Sequence, residues 1–121
     1  MYIGFDTSNY TTSVATYDGK IVCQAKQVLT VKPGERGLRQ SDAVFQHTVN
    51  MPKLCKELEF EVPQAVGVST RPRNVDGSYM PCFLVGENVA TVLSSVNDVP
   101  MYKTSHQIGH ILAALYSADM L

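Results

Sequence analysis

Residues 2–29 alternate between apolar and polar side chains in short runs, which is the pattern of half-buried β-strands. The pair Asp18-Gly19 is a strong signal for a two-residue hairpin between the second and third of these runs. The hydroxyl-rich segment 7–12 separates the first two runs and predicts a turn. Three antiparallel strands are therefore expected at the start of the chain, over residues 2–6, 13–17 and 20–29.

Helical spacing of the apolar residues begins after residue 40. A first helix is predicted over residues 41–59, with a kink at Pro52. A second is predicted from Pro81 to about Ser95, and because it is apolar on most faces it is expected to be well buried. The first helix is expected to bury Val44, Thr48, Met51, Cys55 and Leu58. Two further strands and a last helix, which Thr104 or Ser105 can cap, are predicted over residues 65–69, 99–103 and 104–116.

The predicted order is β-β-β-α-β-α-β-α, with loops over residues 30–40 and 70–81. Three hairpin-linked strands followed by alternating helices and strands imply an α/β fold with a mixed five-stranded sheet covered by helices. This is the pattern of the ribonuclease H-like fold, the unit that is duplicated in actin-like ATPases. With 121 residues, the chain is long enough for one such domain.

Composition narrows the class of protein further. A net charge of −1 argues against a polybasic surface for nucleic acid or membrane. Cys23, Cys55 and Cys82 are widely spaced and form no C-x-x-C motif, so they are expected to be reduced core thiols. The N-terminus lacks the basic and apolar regions of a signal peptide, and no apolar run approaches the roughly 20 residues of a membrane span. We expect a cytoplasmic protein without membrane contact.

The last predicted helix carries the clearest candidate for chemistry. His106 and His110 are four residues apart and lie on one face of that helix, so both imidazoles can reach one metal ion. Gln107 follows the first histidine where a metallopeptidase motif has Glu, so a peptidase is the weakest hypothesis. The alternative is a polar stripe on a surface helix.

Several motifs, in this order, resemble the N-terminal half of the tRNA threonylcarbamoyladenosine transferases, formerly called O-sialoglycoprotein endopeptidases or glycoproteases. The chain opens with Asp6-Thr-Ser8 after a strand and continues with Thr-Ser-Val-Ala at 12–15. A histidine in the first long helix, His47, is followed by a proline inside that helix. The segment 105–111, Ser-His-Gln-Ile-Gly-His-Ile, is similar to the histidine motif of this family. The resemblance extends over the whole chain.

The resemblance implies a two-lobed, actin-like enzyme of which residues 1–121 are the first lobe. Such an enzyme transfers a threonylcarbamoyl group from an adenylate to the N6 amine of an adenosine in tRNA, so tRNA is an expected partner of the full-length protein. A divalent metal, iron or zinc, is expected on His106 and His110, and ATP or an adenylate is expected only together with the second lobe. Asp6 would be catalytic. The phosphate-side residues would be Ser8, Asn9, Thr11 and Thr12.

Three departures from this family weaken the transfer of its function to this chain. The acids that usually follow the first strand are absent from the sequence at 9–11. The usual Gly-Pro-Gly loop contains Arg71 and Arg73, which can clamp an anion or form a solvated basic loop. The sequence ends at Leu121, before a second lobe. The alternative is a catalytically inactive actin-like lobe that serves as a dimerisation or scaffold partner, through self-association or a paralogous lobe. The intact histidine pair favours the enzyme.

Overall fold

A computed structural model describes residues 1–8, 10–34, 37–72 and 80–105. The described chain follows the predicted order as far as the fifth strand, and the predicted histidine helix lies outside it from residue 106 onward. The elements are β1 (Tyr2–Ser8), β2 (Thr11–Tyr17), β3 (Val22–Val28), α1 (Gln40–Glu57), β4 (Ala65–Arg71), α2 (Phe83–Asn97) and β5 (Met101–Ser105).

The five strands form one mixed sheet in the order β3-β2-β1-β4-β5. The first three strands are antiparallel neighbours, whereas β4 runs parallel to both β1 and β5. An antiparallel β1-β2-β3 unit with two parallel strands added beside β1 is the ribonuclease H-like arrangement. The predicted fold class is therefore confirmed.

The hairpin between β1 and β2 is tighter than predicted. Thr7 is paired with Thr12, and Ser8 with Thr11, so the strands continue through most of the segment predicted as a turn. Threonine is β-branched and favours a pleated sheet, and this cross-strand pairing outweighs the turn preference of hydroxyl-rich sequence. At the other end of the described chain, both predicted helix caps, Thr104 and Ser105, lie inside β5.

Both helices pack on the same face of the sheet. α1 lies against β2 and β3, and α2 lies against β1 and β4. The buried apolar side chains of the strands point toward these helices and share a core with them. This core is built mainly from Ile3, Phe5, Val14, Met51, Leu54, Val66, Val68, Val85 and Ala90. Neither helix in the described part of the chain is long and apolar enough to cross a membrane.

The faces that the helices bury match the prediction only in part. Of the five residues predicted for the first helix, Met51 is buried and Val44, Cys55 and Leu58 pack against the core, whereas Thr48 is exposed. Ala43, His47 and Leu54 are buried as well. In α2, Val92 and Val96 are 61% and 78% exposed, so the expectation of a well-buried helix is wrong for this part. The reason is that α2 covers one side of the sheet and has no layer above it among the described residues.

A threonine of β1 fixes the start of α2. The hydroxyl of Thr7 donates to the carbonyl of Cys82 at 2.8 Å and accepts the N–H of Gly86 at 3.1 Å. A Cβ on Gly86 would lie 3.2 Å from this hydroxyl oxygen, so glycine permits the close approach. α2 has no side-chain cap of its own, and Thr7 takes over part of that task. The end of β1 and the start of α2 are thus held together.

Two of the three cysteines fit the expectation of core thiols. Cys82 is buried, which raises its pKa to about 11, and burial likewise raises the pKa of Cys55. Cys23 is exposed on the edge strand β3, so the prediction is wrong for this residue.

Candidate functional site

A row of polar side chains crosses the face of the sheet opposite α1 and α2. Strand register places Ser13 opposite both Asp6 and Lys26, and Ser69 opposite Thr104. Phe5 is paired with Val68, so Asp6 and Ser69, the next residues along, also lie side by side. The row, which we call the polar row, therefore runs Lys26, Ser13, Asp6, Ser69 and Thr104 from β3 to β5.

The polar row lines a cleft of about 730 Å³ in the described part of the structure. This volume is in the range of small-molecule sites. Ser8 and Thr11 add two further hydroxyl side chains at the hairpin. Apolar and aromatic residues line the cleft as well, namely Tyr10, Pro72, Met80 and Phe83. The cleft thus offers hydroxyl groups, one carboxylate and one ammonium group beside an apolar surface.

The carboxylate of Asp6 is held in a fixed orientation within this cleft. Its Oδ1 accepts the backbone N–H of Ser8 at 2.9 Å, and its Oδ2 accepts the hydroxyl of Ser69 at 3.1 Å. These bonds come from its own strand and from the neighbouring β4. A carboxylate oriented in this way can accept a proton or hydrogen bonds from a ligand, or contribute oxygen ligands to a cation.

The structure brings together only part of the site that was predicted from the sequence. Asp6, Ser8 and Thr11 line the cleft. Thr12 is fully buried and points toward α1, on the opposite face of the sheet. Arg71 ends β4, where Nη1 donates to the Thr70 hydroxyl at 3.1 Å. The remaining predicted residues lie outside the described ranges, namely Asn9, Arg73, His106 and His110.

His47 lies beneath the hairpin, in the core. Its Nδ1 is 2.7 Å from the hydroxyl oxygen of Thr12, which also accepts the side-chain amide of Asn50 at 3.2 Å. The Nε2 atom of the ring is buried and has no hydrogen-bond partner among the described residues. Burial lowers the pKa of His47, although the Ser8 backbone and the Asp6 carboxylate act in the opposite direction. His47 supports the start of β2 as a neutral side chain and does not line the cleft.

Sequence reasoning missed four members of the polar row: Ser13, Lys26, Ser69 and Thr104. The alternation in the third strand does place Gln24 and Lys26 on one face. It does not reveal which residues of the other strands lie beside them. That information comes from the pairing of strands that are distant in the chain.

The described residues contain no group of three or more histidine, cysteine or acidic side chains that could hold a metal ion. The two histidines of the H-x-x-x-H motif lie beyond this part of the chain. Oxygen ligands such as the Asp6 carboxylate suit hard divalent cations, whereas imidazoles suit iron and zinc. A site for iron or zinc in this chain would therefore need His106 and His110 as ligands.

Fold and cleft together define a ribonuclease H-like lobe with a polar cleft at the carboxyl end of its first strand. No protein-family model matches the sequence, and no curated protein matches it. Among solved structures, the chain is similar to an uncharacterized protein with similarity to peptidase YeaZ from Pseudomonas aeruginosa, at a TM-score of 0.59 and 15% identity. It is also similar to YeaZ from Pseudomonas aeruginosa, at a TM-score of 0.56 and 15% identity. Both alignments cover 86% of this chain and 42% of the other, so the chain spans less than half the length of either structure. At this identity the likeness shows a common fold.

Proposed function

We propose that residues 1–121 are the metal-binding N-terminal lobe of a protein that resembles the tRNA threonylcarbamoyladenosine transferases. The observation that carries the proposal is the carboxylate of Asp6, held by Ser8 and Ser69 inside a cleft lined with hydroxyl groups. In a ribonuclease H-like lobe this cleft lies at the carboxyl ends of the parallel strands, where α/β sheets commonly bind ligands. The similarity of fold to YeaZ supports the same class of protein.

The residues of the cleft suit an adenylate that reacts with an amine. Hydroxyl groups of Ser8 and Thr11 can donate hydrogen bonds to the nucleotide. Asp6 can accept a hydrogen bond from the attacking amine and orient it toward the carbonyl. Tyr10 lines the cleft and belongs to the segment 9–11, in which this sequence lacks the acids usual in the transferase family, so a different acceptor is compatible with the proposal.

A divalent metal, iron or zinc, held by His106 and His110, would supply Lewis-acid polarisation of the reacting carbonyl. Two imidazoles are an incomplete ligand set, so further ligands would come from elsewhere, including a second lobe of a longer native chain. In this proposal, ATP or an adenylate and tRNA are bound by the two-lobed protein. The mass of the native chain in a lysate of its own organism tests the second lobe, because a two-lobed protein is more than twice as long as the lobe formed by residues 1–121.

The histidine pair provides the direct test of the enzymatic function. His106→Ala in the native-length protein is expected to release the bound metal and to lower the threonylcarbamoyladenosine content of cellular tRNA at least tenfold, because one of two imidazole ligands is lost. Metal content is measured on the purified protein, and the modified nucleoside by mass spectrometry of digested tRNA. Gln107→Ala, one residue away, is the matched control. Unchanged metal and unchanged nucleoside in the His106→Ala strain would reject the proposal.

An apolar surface on the helices favours a second candidate function, a scaffold lobe that pairs with a second copy of the chain. A hollow of about 580 Å³ lies between α2 and the end of α1, and it is lined almost entirely by apolar side chains, including Phe60 and Val92. Val62 and Val96 are exposed as well. Monomeric proteins rarely expose large apolar patches, and a self-complementary patch produces a twofold dimer.

Measuring whether the protein is a monomer or a dimer distinguishes the scaffold lobe from a monomeric enzyme lobe. The native protein is expected to sediment as a dimer at micromolar concentration, and Val92→Glu is expected to weaken the dimer at least a hundredfold by placing a charge in the apolar hollow. Ile21→Glu, an equally exposed position in the β2–β3 turn, is the control and should leave the dimer intact. A protein that sediments as a monomer over the whole concentration range would exclude self-pairing.

A further inference from the structure

We propose that Lys26 and Ser13 form an anion-binding end of the cleft, which takes a phosphate or carboxylate group of the ligand. Asp6 then binds another part of the same ligand, one that donates hydrogen bonds to the carboxylate. This inference rests on the proposed function for the location of the ligand. It adds an orientation for that ligand and a role for Lys26, which belongs to none of the sequence motifs.

The register of β1, β2 and β3 places the two charged residues on one line. Lys26 is opposite Ser13, and Ser13 is opposite Asp6. Adjacent strands are about 4.8 Å apart, so the backbones at Lys26 and Asp6 are separated by about 10 Å across two strand intervals. The flexible stem of lysine allows its ammonium group to reach back over Ser13.

The hydroxyl of Ser13 is prepared to donate a hydrogen bond. Its oxygen accepts the side-chain amide of Gln24 at 3.1 Å, and Gln24 also lines the cleft. A hydroxyl whose oxygen is engaged in this way keeps its own proton available for an acceptor. Lys26 and Ser13 therefore present two donors to the same part of the cleft, a combination that suits oxygen atoms of an anion.

Charge fixes the direction of the ligand. Among the described residues that line the cleft, Asp6 is the sole carboxylate and Lys26 the sole basic side chain. Lys26 makes no ion pair within the described part of the chain. An anionic group placed beside Asp6 would be repelled, whereas one beside Lys26 would be attracted. A ligand with an anionic end and a hydrogen-bond-donating end is thus bound in one orientation.

Two matched pairs of probes test the proposal in the native-length protein. AMP and adenosine differ by a phosphate, and N-carbamoyl-L-threonine and its amide differ by a carboxylate. Calorimetric titration is expected to show that the native protein binds the anionic member of one pair about tenfold more tightly than the neutral member, as expected for one charge-assisted hydrogen bond. Lys26→Gln should abolish this difference and leave the affinity for the neutral member unchanged. Lys20→Gln, the same change in the β2–β3 turn, should preserve it.

Every outcome bears on the proposal. The pair that shows the difference identifies the group as phosphate or carboxylate. If Lys26→Gln behaves as Lys20→Gln does, or if neither anionic probe binds, the proposal is overturned. Lys26 is then a charge that protects the edge strand β3 from pairing with other chains. If the difference depends on Lys26 but His106→Ala leaves metal and tRNA unchanged, the anion site stands and the proposed transferase function fails.

Discussion

Replacing His47 with alanine is expected to lower the free energy of unfolding by about 3 kcal/mol at pH 7.5, as for other large-to-small changes in a protein core. The ring is fully buried between α1 and β2. Its loss leaves a cavity and removes one of the two hydrogen-bond partners of the Thr12 hydroxyl, the other being Asn50. Urea denaturation followed by circular dichroism measures the change. Thr48→Ala, at the exposed neighbouring position, should change the stability by less than about 0.5 kcal/mol.

The same residue is expected to make the fold sensitive to acid. Because burial lowers the pKa of His47 in the folded protein, the unfolded chain binds this proton more readily. The stability contributed by neutral His47 is therefore present above the unfolded pKa of about 6.5 and is lost as pH falls below it. The loss from one proton cannot exceed about 1.4 kcal/mol per pH unit.

The variant His47→Leu separates the effect of His47 protonation on stability from the effect of a cavity. Leucine fills most of the space and cannot be protonated, so the stability of this variant should fall less between pH 7.5 and pH 5.5 than that of the native protein. The difference between the two profiles excludes the contributions of His106 and His110, which both proteins share. Parallel pH profiles for the two proteins would mean that His47 is not buried as a neutral ring.

On the proposed function, Asp6→Asn is expected to lower the rate of tRNA modification about a hundredfold, the scale for loss of a positioned catalytic group. Asparagine has nearly the same shape: its Oδ1 can still accept the N–H of Ser8, and its amide group can donate to the hydroxyl oxygen of Ser69. It lacks the negative charge that orients an amine or a cation. The expected signature is therefore lost activity with a change in stability below about 1 kcal/mol.

The measurement is the threonylcarbamoyladenosine content of tRNA in cells that carry only the variant, together with thermal unfolding of the purified protein. Glu57→Gln, on the exposed end of α1, makes the same change of charge away from the cleft and should be silent. If Asp6→Asn retains full modification, the carboxylate is a structural cap of the hairpin. The scaffold candidate would then be the better account of this lobe.

Much of the architecture was predictable because its signals are local. Period-two alternation and the Asp18-Gly19 pair located the first three strands, and period-3.6 spacing located α1 and α2. The length of the hairpin strands β1 and β2 was not predictable in this way. The hydroxyl-rich segment favours a turn locally, but the pairing of Thr7 with Thr12 across the strands outweighs that preference. The burial of His47 on α1 was not predicted either. Histidine is a polar residue, and its burial here is tolerable because His47 is hydrogen-bonded to Thr12 on β2.

The sequence alone determined the order of strands and helices as far as β5, the acid in the first strand and the spacing of the histidine pair, since each depends on residues that are near neighbours in the chain. Only the tertiary structure decided that Asp6 and Ser69 share a hydrogen bond, that Thr12 faces away from the cleft, and that Lys26 stands in line with Asp6. Those relations depend on register between strands far apart in sequence. Register is set by packing of the whole sheet against α1 and α2, where a shift of one residue would move every side chain to the opposite face.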